Sequence, residues 1–515
     1  MSPDSTNPDV AIVGYGPVGA ALALQLAHAG LRVVVLERSR EPVELPRAVA
    51  LDGEAMRGFQ RIGLGETVNA ILQPPRERDE VWFTNSRRER LFGTEIPKVG
   101  LYGWRDVAYF DQPELEALLR EHVERDPRID VRLGQEVRSL DQDDEGVTLE
   151  TIDASTRTPS AVRARLAVGC DGASSTLRGA LGIGWESLGY DQDWLVVDIV
   201  ERPGADLPEV GLMQVCDPTR LTTYVRVKDP NRRWEFQLLP GETREAMLEP
   251  ARIEALLDPW LPREHYTIRR AAVYQFHAAT AKRWQSGRVL LAGDAAHQTP
   301  PFLGQGLNAG LRDALNLGWK IPLVLGGVCD DSLLASYEEE RDAHARDLVE
   351  WAVAIGKLME TLAAREAGRP DPHPADHSAG YGQGRQAPPL RDGVLVTEQI
   401  AAGRPVGSIL LQPRLREAGG EPFPLDERLG SGFAVVGRTR ADLEMDAHAR
   451  GVLERLGGRA VDLDGLERVE GGADTVFEAH PAVVVRPDRY LFGVVDEAWS
   501  LDRLMRRLGE RVGLR

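Results

Sequence analysis

The sequence predicts an α/β protein of two or three domains: a dinucleotide-binding βαβ core, a β-sheet unit interleaved with it, and a smaller C-terminal domain. Three observations carry that expectation. The first forty residues run from a β-branched stretch, Val10 to Val13, through a glycine turn and an Ala/Leu-rich amphipathic stretch to about Ala29, into a second β-branched stretch, Val33 to Leu36. Residues 190–277 are dense in strand-like runs such as LTTYVRV and RRWEFQLLP. Residues 368–389 cluster Gly, Pro, His and Asp with almost no apolar spacing, so they read as a linker.

The remaining elements follow the same signals. QPELEALLREHVER, from Gln112 to Arg125, has helical periodicity, and Val131 to Leu140 and Val147 to Ile152 read as strands around an acidic turn. Helical periodicity returns after Gly306 and from Leu333 to about Ala364. The expected division is one domain from residues 1–189 and 278–367, a substrate-binding sheet domain at 190–277, the linker, and a third domain at 390–515.

Composition narrows the class. With 515 residues and 42% of them hydrophobic, the chain can bury a large core. Lys and Arg number 62 against 80 Asp and Glu, a net charge of −18, which argues against nucleic acid or an anionic membrane as a general partner. Cys170, Cys216 and Cys329 are far apart with no Cys-x-x-Cys, so neither a disulfide framework nor a metal site is expected, and a reducing cytoplasm fits. The N-terminus lacks a basic region followed by an apolar run, and no later run approaches membrane-spanning length, so neither secretion nor a membrane span is expected.

Gly14, Gly16 and Gly19 form G-x-G-x-x-G directly after the first strand, with Pro17 and Val18 inside the turn. Gly14 permits the tight turn, Gly16 lets the backbone approach a pyrophosphate, and Gly19 allows close helix–strand packing. The helix N-terminus attracts phosphate charge. Glu37, followed by Arg38, ends the second strand and is suited to adenosine ribose hydroxyls; its charge argues against a 2′-phosphate there. This fingerprint alone does not separate FAD from NAD.

Two further signatures do. Residues 288–310, RVLLAGDAAHQTPPFLGQGLNAG, and Cys170-Asp171-Gly172-Ala173-Ser174-Ser175 with Arg178 stand in the order of the GD and DG signatures of class A flavoprotein aromatic hydroxylases, and the chain resembles that family. The resemblance implies bound FAD, a nicotinamide (NADH or NADPH) that visits transiently, and O2 as co-substrate. It gives Asp294 the FAD ribityl chain and places Gly304, Gln305, Gly306, Leu307 and Asn308 at the flavin edge, with Pro300 and Pro301 as a stiff wall nearby. Asp171 is associated with FAD and nicotinamide contacts, an ion pair with Arg178 being the alternative. Gln112, in FDQPELEALLR, corresponds to a glutamine beside the isoalloxazine, and Arg47, in LPRAVALDGEAM, to an arginine near the ribityl-pyrophosphate.

RRWEFQLLPGE at 232–242, VYQFHA at 273–278 and LRDALNLGWKI at 311–321 are most similar to the 3-(3-hydroxyphenyl)propionate hydroxylase group. The expected activity is NAD(P)H- and O2-dependent hydroxylation of a phenolic aromatic through a flavin C4a-hydroperoxide, the cofactor supplying the chemistry and the protein the placement. A larger polycyclic or antibiotic-like aromatic, or a non-oxygenase flavin reductase, are the competing readings. No catalytic base stands out. Alternation in the middle sheet makes Tyr224, Arg226, Trp234 and Phe236 candidate pocket residues, with His277 and His297 as further candidates whose commoner role is structural. The C-terminal domain resembles the thioredoxin-like domain of phenol and polyketide hydroxylases but lacks the redox cysteines, so a structural or homodimer-supporting role is expected.

Overall fold

The computed structural model describes residues 7–42, 46–77, 79–374, 387–472 and 475–515; most of the linker, 375–386, lies outside the described residues. The β-branched runs form a six-stranded sheet ordered Gln285–Ser286, Val289–Leu291, Leu166–Gly169, Val10–Val13, Val33–Glu37 and Ile129–Leu133. All its pairings are parallel except that of the short edge strand Gln285–Ser286. Strands Val10–Val13, Leu166–Gly169 and Val289–Leu291 are buried along their whole length, as a sheet covered on both faces requires. Helix Pro17–His28 lies against helix Gly306–Leu325, and the 35-residue helix Ser332–Glu366 packs on the latter.

A second, eight-stranded sheet runs His297–Gln298, Tyr266–Ala281, Trp185–Glu201, Asn231–Gln237, Thr222–Val225, Leu212–Val215, Glu80–Thr84 and Arg90–Glu95. The sheet expected at 190–277 is therefore wider than those bounds. It takes two strands from residues 80–95, and its longest strand starts at Trp185, because Leu212–Val215 exposes an edge that Glu80–Thr84 fills in parallel. The single strand expected from Val131 to Leu140 is two, Ile129–Leu133 and Gln135–Gln142, divided at Gly134 with φ +73.

The C-terminal region holds a four-stranded sheet ordered Arg459–Asp462, Ala434–Gly437, Ala482–Val485 and Leu491–Val494, with helices Ala447–Arg455 and Leu501–Arg511. Its core merges with that of the N-terminal sheet: Trp319 meets Phe433 edge to face at 5.4 Å. Charges cross the same boundary. Glu340, with no exposed side-chain surface, sits 2.8 Å from both Lys320 and Arg486, while Arg486 also pairs with Asp488 at 2.6 Å. Asp426 accepts from Arg57 at 2.6 Å and from Arg489 at 3.0 Å.

Candidate active site

Three motifs separated by more than a hundred residues in sequence end three adjacent parallel strands, so the fold delivers them to one carboxyl edge. Open α/β sheets bind ligands in the crevice at that edge. Val10–Val13 leads into the glycine loop, Leu166–Gly169 into Cys170-Asp171-Gly172, and Val289–Leu291 into Gly293-Asp294. A cleft of about 230 Å³ opens beside them, lined by Gly14, Gly16, Pro17, Glu37, Arg38, Arg47, Gln112, Asp171 and Gly172 among others.

The loop glycines divide into two kinds. A Cβ on Gly14, which has φ +104, would stand 2.3 Å from the Cys170 carbonyl oxygen, and one on Gly19 would stand 2.2 Å from that of Gly14. Those two let the chain pack on itself. A Cβ on Gly16 would meet nothing within 4 Å, so that residue keeps space free in the cleft. Gly19 and Val18 are absent from the cleft lining; the Val18 methyls fill the space over Gly293 and Gly310. Both pack the loop against its neighbours.

Charges and orphaned polar atoms in the cleft suit a dinucleotide. Glu37 accepts from the backbone amides of Tyr15 at 2.9 Å and Ser39 at 2.8 Å, which fixes its carboxylate at the end of the strand with lone pairs to spare. Asp171 caps the helix Thr176–Ala180 with one oxygen, accepting from Thr176 at 2.6 Å, while its other oxygen is buried without a partner among the described residues. The Tyr15 hydroxyl is likewise buried and unpaired among them. Helix Pro17–His28 has no acidic residue in its first turn to neutralise its amides. An open glycine cradle, unsatisfied oxygens and an uncompensated helix N-terminus fit FAD.

Arg178 does not pair with Asp171 among the described residues. It stacks on Trp185 at 4.0 Å and donates to the carbonyls of Ala173 and Ala295, tying the second motif to the third. Gln112 spends its carboxamide on position: its oxygen accepts from the amides of Arg47 and Ala48 at 2.9 and 2.7 Å, and its nitrogen donates to Glu116. It thereby presents Arg47, which is exposed at the cleft. Cys170 is half-buried at the cleft, and desolvation raises the pKa of its thiol far above the usual range.

Asp294 is exposed while its neighbours Gly293 and Ala295 are buried. Beneath it, Asp313 accepts from the Gly293 amide at 2.9 Å, from His297 at 2.8 Å and from Arg341 at 2.9 Å. Burial alone would raise the Asp313 pKa, but these partners together hold it below the usual range. His297 is thus a structural histidine, 1% exposed and stacked on Trp284. Gly304 adopts φ +64, and neither it nor Gly306 has anything within 4 Å of a Cβ position. Asn308 instead is 1% exposed and staples the loop, accepting from Asp52 and donating to Ala50 and Gly304. Gln305 accepts from Arg312 at 2.9 Å, and Leu307 packs on the main core. Pro300 is buried and Pro301 opens the short helix Pro301–Leu303.

The pocket candidates in the sheet sit on its other face. Tyr224, Trp234 and Phe236 are at most 2% exposed and form a core with Ile253 and Leu257 of helix Pro250–Leu257; Tyr224 stacks on Trp260 at 5.5 Å. Arg226 lies near Asp229, and His277 pairs with Asp191 at an exposed position. The alternation was right, but sequence could not say which face turns toward the first sheet. Cross-strand register answers that: Gln214, Thr223, Glu235 and Val196 stand side by side on the opposite face. There Gln214 donates to the Phe302 carbonyl at 3.5 Å, two residues before Gly304. Sequence reading missed this row, although Glu235 between Trp234 and Phe236 is a charge inside an apolar run, a signal of a buried ionisable group.

This fold and site define a dinucleotide-binding α/β protein whose three carboxyl-edge loops face a large mixed sheet. The FAD binding domain family model matches residues 7–352, and the HcaD C-terminal domain model matches residues 407–511. A 3-(3-hydroxy-phenyl)propionate/3-hydroxycinnamic acid hydroxylase 2 of Burkholderia vietnamiensis is 35% identical, covering 96% of this chain and 95% of its own. A protein of Rhodococcus jostii named as a probable NADH-specific resorcinol 4-hydroxylase is also 35% identical, over 97% and 94%. The crystal structure of aklavinone-11 hydroxylase with FAD and aklavinone superposes with a TM-score of 0.82 at 25% identity, over 99% of this chain and 100% of that one. The chain belongs to the FAD-binding-domain family of flavoprotein aromatic hydroxylases.

Proposed function

We propose that the chain is an FAD monooxygenase that uses NADH or NADPH and O2 to hydroxylate a small phenolic aromatic of the 3-hydroxyphenylpropionate type. The observation that carries this reading is the convergence of all three loops at one sheet edge, opposite a sheet face lined by Gln214, Thr223 and Glu235. Bound FAD supplies hydride acceptance and oxygen transfer. The chain's own residues then have separate tasks. Gly16, Arg47 and the first turn of helix Pro17–His28 take the pyrophosphate; Glu37 takes ribose hydroxyls; Asp294 takes the ribityl chain; Gly304 to Gly306 leave backbone open at the flavin edge. Sheet and loop together exclude water from the reacting ring.

In the same reading, residues 1–189 and 278–367 form the FAD domain, apart from the segments at 80–95, 185–189, 278–281 and 297–298 that join the interleaved substrate sheet, and 390–515 form a thioredoxin-like domain. What supports the latter is its strand pattern, one parallel pairing across helix Ala447–Arg455 followed by two antiparallel ones. A cytoplasmic location agrees with three free cysteines. The test is a panel of meta-hydroxyphenyl acids assayed for accelerated NADH or NADPH oxidation, with product analysis and identification of the flavin released on denaturation. FAD and a ring-hydroxylated product are expected; FMN, or nicotinamide oxidation unaffected by every phenol, would overturn the reading.

A further inference from the structure

Glu235 is 6% exposed, yet its carboxylate accepts no hydrogen bond among the described residues. Its nearest cation is Arg233 on the same strand, 4.0 Å away. A buried carboxylate without a close partner is costly, so its retention needs a reason. Its place supplies one. Thr223, directly across the strand pair, donates to Gln214 at 2.6 Å, and Gln214 reaches the Phe302 carbonyl at the entrance to the open Gly304–Gly306 backbone. Glu235 therefore belongs to the sheet face that Gln214 ties to the loop leading into Gly304–Gly306.

The charges facing it are few. Beyond Arg233, the neighbouring strands bring Asp198, Arg270 and Tyr274 to the same face, with Arg233 paired to Asp198 at 2.7 Å and Arg270 at 3.5 Å from that aspartate. Thr223 and Gln214 on the other side are uncharged. Two guanidiniums thus face two carboxylates when Glu235 is ionised. Burial pushes Glu235 up to about 7, against the pull of Arg233, so it changes protonation near neutrality.

Building on the hydroxylase reading, we propose that Glu235 accepts the phenolic proton of the substrate, with Arg233 and Arg270 holding the phenolate charge that results. The substrate O–H bond breaks, its proton forms a bond to a Glu235 carboxylate oxygen, and the electron pair stays on the phenolic oxygen. Net charge in the cluster is unchanged, because one carboxylate anion is exchanged for one phenolate. The electron-rich phenolate is the form that best receives an electrophilic oxygen.

The holoenzyme and its Glu235→Gln variant are titrated with a chromophoric phenol, and product formation is compared for an ordinary phenol and an acidic one already ionised at the assay pH. In the wild type, the bound chromophore should show phenolate absorbance well below the pH at which it ionises in solution. The variant should bind it yet leave it neutral there. Product formation from the ordinary phenol should fall about 10²–10⁴-fold, while the acidic phenol is largely rescued. Equal losses for both phenols, or unchanged phenolate absorbance in the variant, would overturn the proposal. A wild type that binds no phenol at all would instead sink the hydroxylase reading on which it stands.

Discussion

Single residues in this chain separate folding from function. Glu235 has a folded pKa near 7, above the unfolded value of about 4.3, so its contribution to stability is fully present below about pH 4 and is lost as pH rises through 7. Glu235→Gln removes that loss. Thermal melts should show the variant gaining on the wild type from about pH 4 to pH 7 and holding a constant advantage above; parallel melting curves across that range would contradict the burial argument. Few such residues were legible beforehand. Gly14, Glu37 and Asp171 could be located from their motifs, since glycine turns and strand-end acids have local causes. Tyr224, Trp234 and Phe236 were placed on the right alternation but assigned the wrong side, because period two fixes which residues share a face and not what that face meets.

At the level of elements, the glycine loop offers a paired test. Gly19→Ala puts a methyl 2.2 Å from a backbone oxygen, forcing helix Pro17–His28 off its strand at a cost of about 1–3 kcal/mol. Gly16→Ala meets no protein atom within 4 Å, so the apoprotein should melt normally while FAD affinity falls. Apoprotein melts and FAD titrations of both variants check this; a Gly16→Ala protein with wild-type FAD affinity would remove that loop from the cofactor site. Strands with one local cause were visible in the sequence, as at Val10–Val13 and Val33–Glu37. The strand Glu80–Thr84 was not, since its pairing with Leu212–Val215 depends on partners more than 120 residues away.

Over the whole molecule, the C-terminal region is bound to the FAD-binding part by buried ions rather than by apolar contact alone. Its link reaches the loop at Gln305: Tyr490 donates to Glu54 at 2.8 Å, and Arg312 pairs with Glu54 and Asp52 while donating to Gln305. Removing one partner of a buried pair strands the other, so Arg486→Met should cost about 3–5 kcal/mol in chemical denaturation. Burial would raise the Glu340 pKa, but Arg486 and Lys320 outweigh it and hold the group at about 2. Its stabilisation is therefore complete above the ordinary glutamate range and fades as pH falls toward 2. Unfolding free energy that is flat between pH 5 and pH 3, or equal in Arg486→Met and wild type, would contradict this account of the junction.

The most direct test of the central claim follows the oxygen atom. Purified holoenzyme is supplied with NADH or NADPH, a meta-hydroxyphenyl acid and isotopically labelled dioxygen, and nicotinamide, peroxide and product are quantified together. A crevice that holds the ring against the flavin edge and excludes water should yield a hydroxylated product carrying one labelled oxygen, with most oxidised nicotinamide accounted for by that product. Hydrogen peroxide as the sole oxygen product, with no label in any phenol tested, would contradict the hydroxylase function.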